Sequence, residues 1–130
     1  MSRILIVDDS RTDTYLAKKC AAGLFTEVRS AHNVNCTFQE LEAFQPSVIL
    51  MDWTLDDLKN GISLIAEIRE REDASSTVPI IVCTGRAMPA DKLIAANAGA
   101  SAYIVKPITT EALAEACARV IPGFKPTSAA

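Results

Sequence analysis

The chain has 130 residues, with thirteen basic against sixteen acidic side chains, a net charge of −3 and 49% hydrophobic content. This predicts one compact domain with a proper core and leaves no room for a second. No basic stripe is present, so nucleic-acid binding is not predicted, and the apolar runs are too short for membrane insertion.

The first predicted element is "ILIV" (4–7), apolar throughout and therefore read as a strand buried on both faces. The chain enters it almost at once, so a secretory leader is not expected. The strand ends in two adjacent acids, Asp8 and Asp9, whose like charges repel. Ser10 then begins a helix with Asp13 three residues on, a variant of the capping box. "EVRSA" (27–31) alternates, which suits a less buried strand. "SVILM" (47–51) is a third strand and leads into Asp52.

In 62–72, Leu64, Ile65 and Ile68 line one helix face, with Gly61 at its N-terminal boundary. "PIIVC" (79–83) predicts a fourth strand, followed by Thr84. Leu93, Ile94 and Ala98 mark a helix that Gly99 ends. "AYIV" (102–105) is the fifth strand, followed by Lys106 and Pro107. Leu113, Ala116, Cys117 and Val120 then recur on one face of a helix over 109–121. The remainder, "PGFKPTSAA" (122–130), reads as a flexible tail after a domain spanning 1–121, and an output domain after it is not expected.

Strand and helix thus alternate five times. Parallel pairing follows, because a parallel connection needs a crossover, and right-handed crossovers put helices on both faces of a five-stranded sheet. Cys20, Cys36, Cys83 and Cys117 are too far apart for paired zinc ligands. Cys20, Cys83 and Cys117 fall in apolar patterns and read as reduced core thiols of a cytoplasmic protein. His32, the single histidine, reads as an ordinary surface residue.

Open parallel sheets bind ligands outside the carboxyl ends of their strands. Those ends carry Asp8, Asp9, Asp52, Thr84 and Lys106. A lone acid at a strand end reads as helix capping, but five such positions at one edge favour chemistry. Three carboxylates in one place need a cation, and an all-oxygen set suits Mg²⁺.

In "VDDS" (7–10), "ILMD" (49–52), "CTG" (83–85) and "YIVKP" (103–107) the chain resembles the response-regulator receiver domains of two-component signalling, over residues 3 to 121. The resemblance implies a doubly wound, flavodoxin-like α/β fold with strand order 2-1-3-4-5. It also implies that Asp52 accepts a phosphoryl group from a phosphohistidine on a sensor kinase or phosphotransfer protein. Asp9 would be a direct Mg²⁺ ligand, Asp8 a ligand largely through water, and the Thr54 carbonyl would complete the protein's share. Lys106 and Thr84 would contact the phosphoryl oxygens, Tyr103 would be the aromatic switch, and the Lys106–Pro107 bond would be cis.

On this reading the protein is not an enzyme acting on other molecules. It is a stand-alone phosphorylation switch or relay intermediate, docking partners on the face of its fourth helix, fifth strand and fifth helix. A scaffold that works without phosphorylation is the alternative. A flavin carrier of the same architecture is disfavoured by the acidic loop "DDSRTDT" (8–14). Two features depart from the family pattern. Asp56 stands where a proline is usual and Gly61 comes one residue late, as in a one-residue loop extension. Arg86, two residues after Thr84, either reaches the phosphoryl group or is solvated.

Overall fold

The computed structural model describes residues 2–55 and 60–125. Asp56, in the loop after Asp52, and the end of the tail, 126–130, lie outside the described residues.

Each apolar run forms a strand: β1 (Arg3–Val7), β2 (Glu27–Ala31), β3 (Val48–Met51), β4 (Ile80–Thr84) and β5 (Ala102–Val105). Between and after them lie α1 (Arg11–Ala21), α2 (Val34–Ala43), α3 (Gly61–Arg69), α4 (Pro89–Ala98) and α5 (Thr110–Val120), with a 3-10 turn at Ala74–Thr77. The sheet order is β2-β1-β3-β4-β5, and every neighbouring pair is parallel. This is the doubly wound, flavodoxin-like sheet expected from the sequence.

Side chains of the central strands alternate between two cores. Leu5, Val7, Ile49 and Met51 pack with Leu64 and Ile65 of α3 on one face. Ile4, Ile6, Leu50 and Ile81 pack with Leu113 and Cys117 of α5 on the other. Burial on both faces is why these strands are apolar without a break, whereas the edge strand β2 alternates.

Helix starts are fixed by side-chain caps. Ser10, Asn33, Asn60 and Thr109 each accept a backbone N–H from three residues on. The capping box expected at α1 is only half formed. Asp13 N–H donates to Ser10 Oγ at 3.2 Å, but Ser10 N–H donates to Asp8 Oδ1 at 2.9 Å instead of to Asp13.

Leu93 and Ile94 were expected to mark the α4 pattern, yet they point outward, 62% and 47% exposed. The inner face of α4 is carried by the fully buried Ala95. A small residue there lets the helix sit close to α3 and β5. Gly99 ends α4 with φ +116°, a conformation natural only to glycine.

All four cysteines are free; Cys83 and Cys117 are buried, Cys20 and Cys36 half-buried. His32 is exposed, as expected. Within the 122–125 segment, the Phe124 ring lies 5.4 Å from that of Phe25. Among the described residues no helix is long and apolar enough to cross a membrane.

Candidate functional site

The sheet ladder continues one step past three strands and so places the site. Asp8 N–H donates to the Ala31 carbonyl at 3.1 Å, Asp52 N–H to Val7 at 2.9 Å, and Lys106 N–H to Thr84 at 2.8 Å. These residues are therefore held by backbone register, not by flexible loops, at the carboxyl edge of the sheet.

Asp8, Asp9 and Asp52 come together there, with one carboxylate oxygen from each lying within 4.8 Å of the others. Asp8 and Asp52 are buried, at 6% and 8% exposure, while Asp9 is exposed. Burial and the Asp8 charge push the Asp52 carboxyl up to about 6, against the lowering effects of Lys106 and the Trp53 N–H. That N–H donates to Asp52 Oδ1 at 2.8 Å. A buried carboxylate beside a like charge is what a cation would relieve. The donor set, hard oxygens with no nitrogen or sulfur, fits Mg²⁺.

Lys106 Nζ faces three carboxylates: Asp13 Oδ2 at 2.8 Å, Asp8 Oδ2 at 3.2 Å and Asp52 Oδ1 at 3.5 Å. Burial works against its charge, but the Asp13 bond, then Asp52 and Asp8, raise its basicity above the ordinary lysine value. The nearest of these partners was missed at the sequence level, where Asp13 was read as a capping residue. Its position one turn after Asp8 and Asp9, on the same helix start, was the available signal.

Thr84 is 5% exposed at the end of β4, and its Oγ1 accepts the Arg86 N–H at 3.3 Å. The Tyr103 hydroxyl donates to the Arg86 carbonyl at 2.8 Å, so the expected switch residue is tied to the loop that follows Thr84. Thr54 is exposed and bridges to Asn60. The Lys106–Pro107 bond is cis, as expected. Asp8, Asp9, Asp52, Thr84 and Lys106 thus lie along the carboxyl edge of the sheet, while Tyr103 lies within β5.

A family model described as "Response regulator receiver domain" matches residues 4–118. The chain belongs to the response-regulator receiver family. It is 34% identical over 112 residues to the transcriptional regulatory protein KdpE of Staphylococcus aureus, covering 86% of this chain and 46% of that protein. Chemotaxis protein CheY1 of Helicobacter pylori is 30% identical over 115 residues, covering 87% of this chain and 91% of that one. Among solved structures, a response regulator from Chloroflexus aurantiacus superposes with TM-score 0.82 at 25% identity, covering 92% and 97% of the two chains. Chemotaxis response regulator CheY4 of Vibrio cholerae superposes with TM-score 0.81 at 23% identity over 92% and 98%, a likeness of fold.

Two features particular to this receiver domain gain a physical account. The Arg86 guanidinium lies over the Trp53 ring, 4.3 Å from its centroid, and its Nη2 is 3.1 Å from Asp91 Oδ1 in the first turn of α4. It is neither on Asp52 nor merely solvated. The late glycine also has a reason. A Cβ at Gly61 would lie 1.9 Å from the Asp52 carbonyl oxygen, so only glycine lets α3 begin against the Asp52 backbone.

Proposed function

We propose that this receiver domain accepts a phosphoryl group on Asp52, from a phosphohistidine of a sensor kinase or phosphotransfer protein, and signals as a switch or relay intermediate. The observation that carries this reading is the grouping of a buried carboxylate nucleophile, two further acids and the Lys106 ammonium at one sheet edge. Asp9 and Asp52 would hold Mg²⁺ directly, Asp8 through water, and the Thr54 carbonyl would complete the protein's share. Bound there, the ion would supply neutralisation of the charge that gathers on the phosphoryl oxygens.

The chain's own residues do the remainder. Asp52 attacks phosphorus through a carboxylate oxygen, the donor's imidazole nitrogen leaves, and an acyl phosphate forms. Lys106 donates to a phosphoryl oxygen, and the Thr84 hydroxyl donates to another. Tyr103, bonded to the carbonyl two residues after Thr84, carries that movement to the outer face of α4, β5 and α5. Met88, Leu93 and Ile94 are large apolar side chains exposed on or beside α4, which suits docking of a protein partner there.

On this reading residues 1–121 form the working unit, acting in the cytoplasm as a signalling switch rather than as an enzyme on other substrates. The test is mass spectrometry after treatment with acetyl phosphate and Mg²⁺. One added phosphoryl group on the wild type, absent in Asp52→Asn, is the expected result. An unmodified wild type would make the scaffold reading the better one, and modification persisting in Asp52→Asn would mean another nucleophile.

A further inference from the structure

Asp13 has a place in the site that the metal does not explain. It is outside the group of carboxylates whose oxygens converge, which is Asp8, Asp9 and Asp52. Its backbone N–H is fixed by Ser10 Oγ in the first turn of α1, and its half-exposed carboxylate reaches across to the end of β5. There it takes the shortest of the three contacts made by Lys106 Nζ, 2.8 Å against 3.2 Å to Asp8 and 3.5 Å to Asp52.

We propose that Asp13 is a positioning residue that restrains Lys106, holding its ammonium toward α1 and so setting how readily it reaches a phosphoryl group on Asp52. The inference rests on the reading of Asp52 as phosphoacceptor. A lysine ammonium has three N–H donors. Two are engaged by Asp13 and Asp8, which leaves one for an incoming group. A phosphoryl group on Asp52 brings oxygens that compete for the same ammonium, so Lys106 must loosen its hold on Asp13 to serve them. A cavity of about 340 Å³, lined by Asp13, Asp52, Cys83, Lys106 and Ile108 among others, adjoins the pair and gives the side chain room to move.

Simple repulsion is the competing account, in which the negative charge of Asp13 disfavours a dianionic group nearby. Both effects have the same sign: neutralising Asp13 speeds phosphorylation. Restraint and simple repulsion differ in their dependence on Lys106. If Asp13 works through the lysine, its effect disappears when the lysine is gone. Asn at this position keeps the backbone N–H that Ser10 caps, so the helix start is preserved.

The experiment measures phosphorylation by acetyl phosphate with saturating Mg²⁺, followed by mass spectrometry, for wild type, Asp13→Asn, Asp13→Glu, Lys106→Met and the Asp13→Asn/Lys106→Met pair. Asp13→Asn is expected to raise the rate about threefold to fivefold, the scale of one partly exposed ion pair. Asp13→Glu, which restores a carboxylate, is expected to stay within about twofold of wild type. In the Lys106→Met background the Asp13→Asn gain is expected to vanish. An unchanged or slower Asp13→Asn overturns the restraint, and so does a gain that survives in Lys106→Met, which would make Asp13 a bulk charge. Asp13→Glu as fast as Asp13→Asn overturns it too, even where the lysine variant reacts too slowly to read. Failure of wild type itself to be modified would instead count against Asp52 as the acceptor.

Discussion

The guanidinium of Arg86 stacks 4.3 Å from the ring centroid of Trp53, the residue whose N–H donates to Asp52, the proposed acceptor. The chain's only tryptophan is thus joined to Asp52 through one peptide group and capped by a cation on its face. Any charge brought to Asp52 alters the field at the indole. Mg²⁺ is therefore expected to change intrinsic emission, and acetyl phosphate to change it again only with Mg²⁺ present. Asp52→Asn should abolish the second change. Emission that ignored both additions would show that the indole does not report on the acceptor.

The raised Asp52 value predicts how metal-free stability depends on pH. Its carboxyl is held at about 6 against an ordinary value of 3.8, so the folded state binds the proton more tightly than the unfolded one. Below the ordinary value both states are protonated and Asp52 costs nothing. As pH rises toward 6 the unfolded chain ionises first, and stability falls; above 6 the cost is complete. Asp52→Asn removes that cost while also weakening a partner of Lys106. It is expected to stabilise the metal-free protein by about 1–2 kcal/mol at pH 7 and to have little effect near pH 3.5. Urea unfolding across this range checks it, and an equal effect at both ends would contradict the assignment.

Much of this was legible in the sequence because the sheet is buried on both faces. An unbroken apolar run such as "ILIV", in a chain where strands and helices alternate, reads as a strand of the parallel sheet, and the polar residue that ends it then lies at the sheet's carboxyl edge. That logic places Asp8, Asp52, Thr84 and Lys106 without any knowledge of side-chain direction. What failed to show were facts of direction. Asp13 was read from its backbone position as a cap, while its carboxylate turns to Lys106. Leu93 and Ile94 fit a helical period, but period alone does not say which face is inward, and Ala95 took that side. Arg86 lay open to two readings because its partners, Trp53 and Asp91, come from separate elements.

Thr84 separates chemistry from switching. Its hydroxyl accepts the Arg86 N–H, and the Arg86 carbonyl accepts from Tyr103, so on the proposed reading the loop between them would link Asp52 to the outer face. Thr84→Ala keeps Asp52, Asp9 and Lys106 and is expected still to accept phosphate. It is expected to lose most of the partner affinity gained on phosphorylation, because a switch shifts only by the differential contacts of its two states. Titration of phosphorylated Thr84→Ala against the partner's binding segment, showing affinity equal to phosphorylated wild type, would rule out this link.

Gly61 gives the sharpest test of how the fold positions the nucleophile. Its N–H donates to the Trp53 carbonyl at 2.6 Å, and a Cβ there would stand 1.9 Å from the Asp52 carbonyl oxygen and 3.0 Å from the Met51 Cγ. Replacing glycine by alanine in a helix ordinarily stabilises it, by up to about 1 kcal/mol. Here the sign is expected to reverse, because the clash is with backbone that cannot rotate away. Asp52 is held on its other side by its own N–H to Val7, so α3 and the acceptor must move apart. Gly61→Ala is expected to cost about 2–4 kcal/mol in urea unfolding and to slow phosphorylation of Asp52 in the fraction that remains folded. Gly85 is the control, since a Cβ there meets nothing within 4 Å. Gly85→Ala should leave stability within about 0.5 kcal/mol of wild type. A Gly61→Ala protein as stable as that control would mean that the chain accommodates the methyl group, and that the late glycine does not position the acceptor.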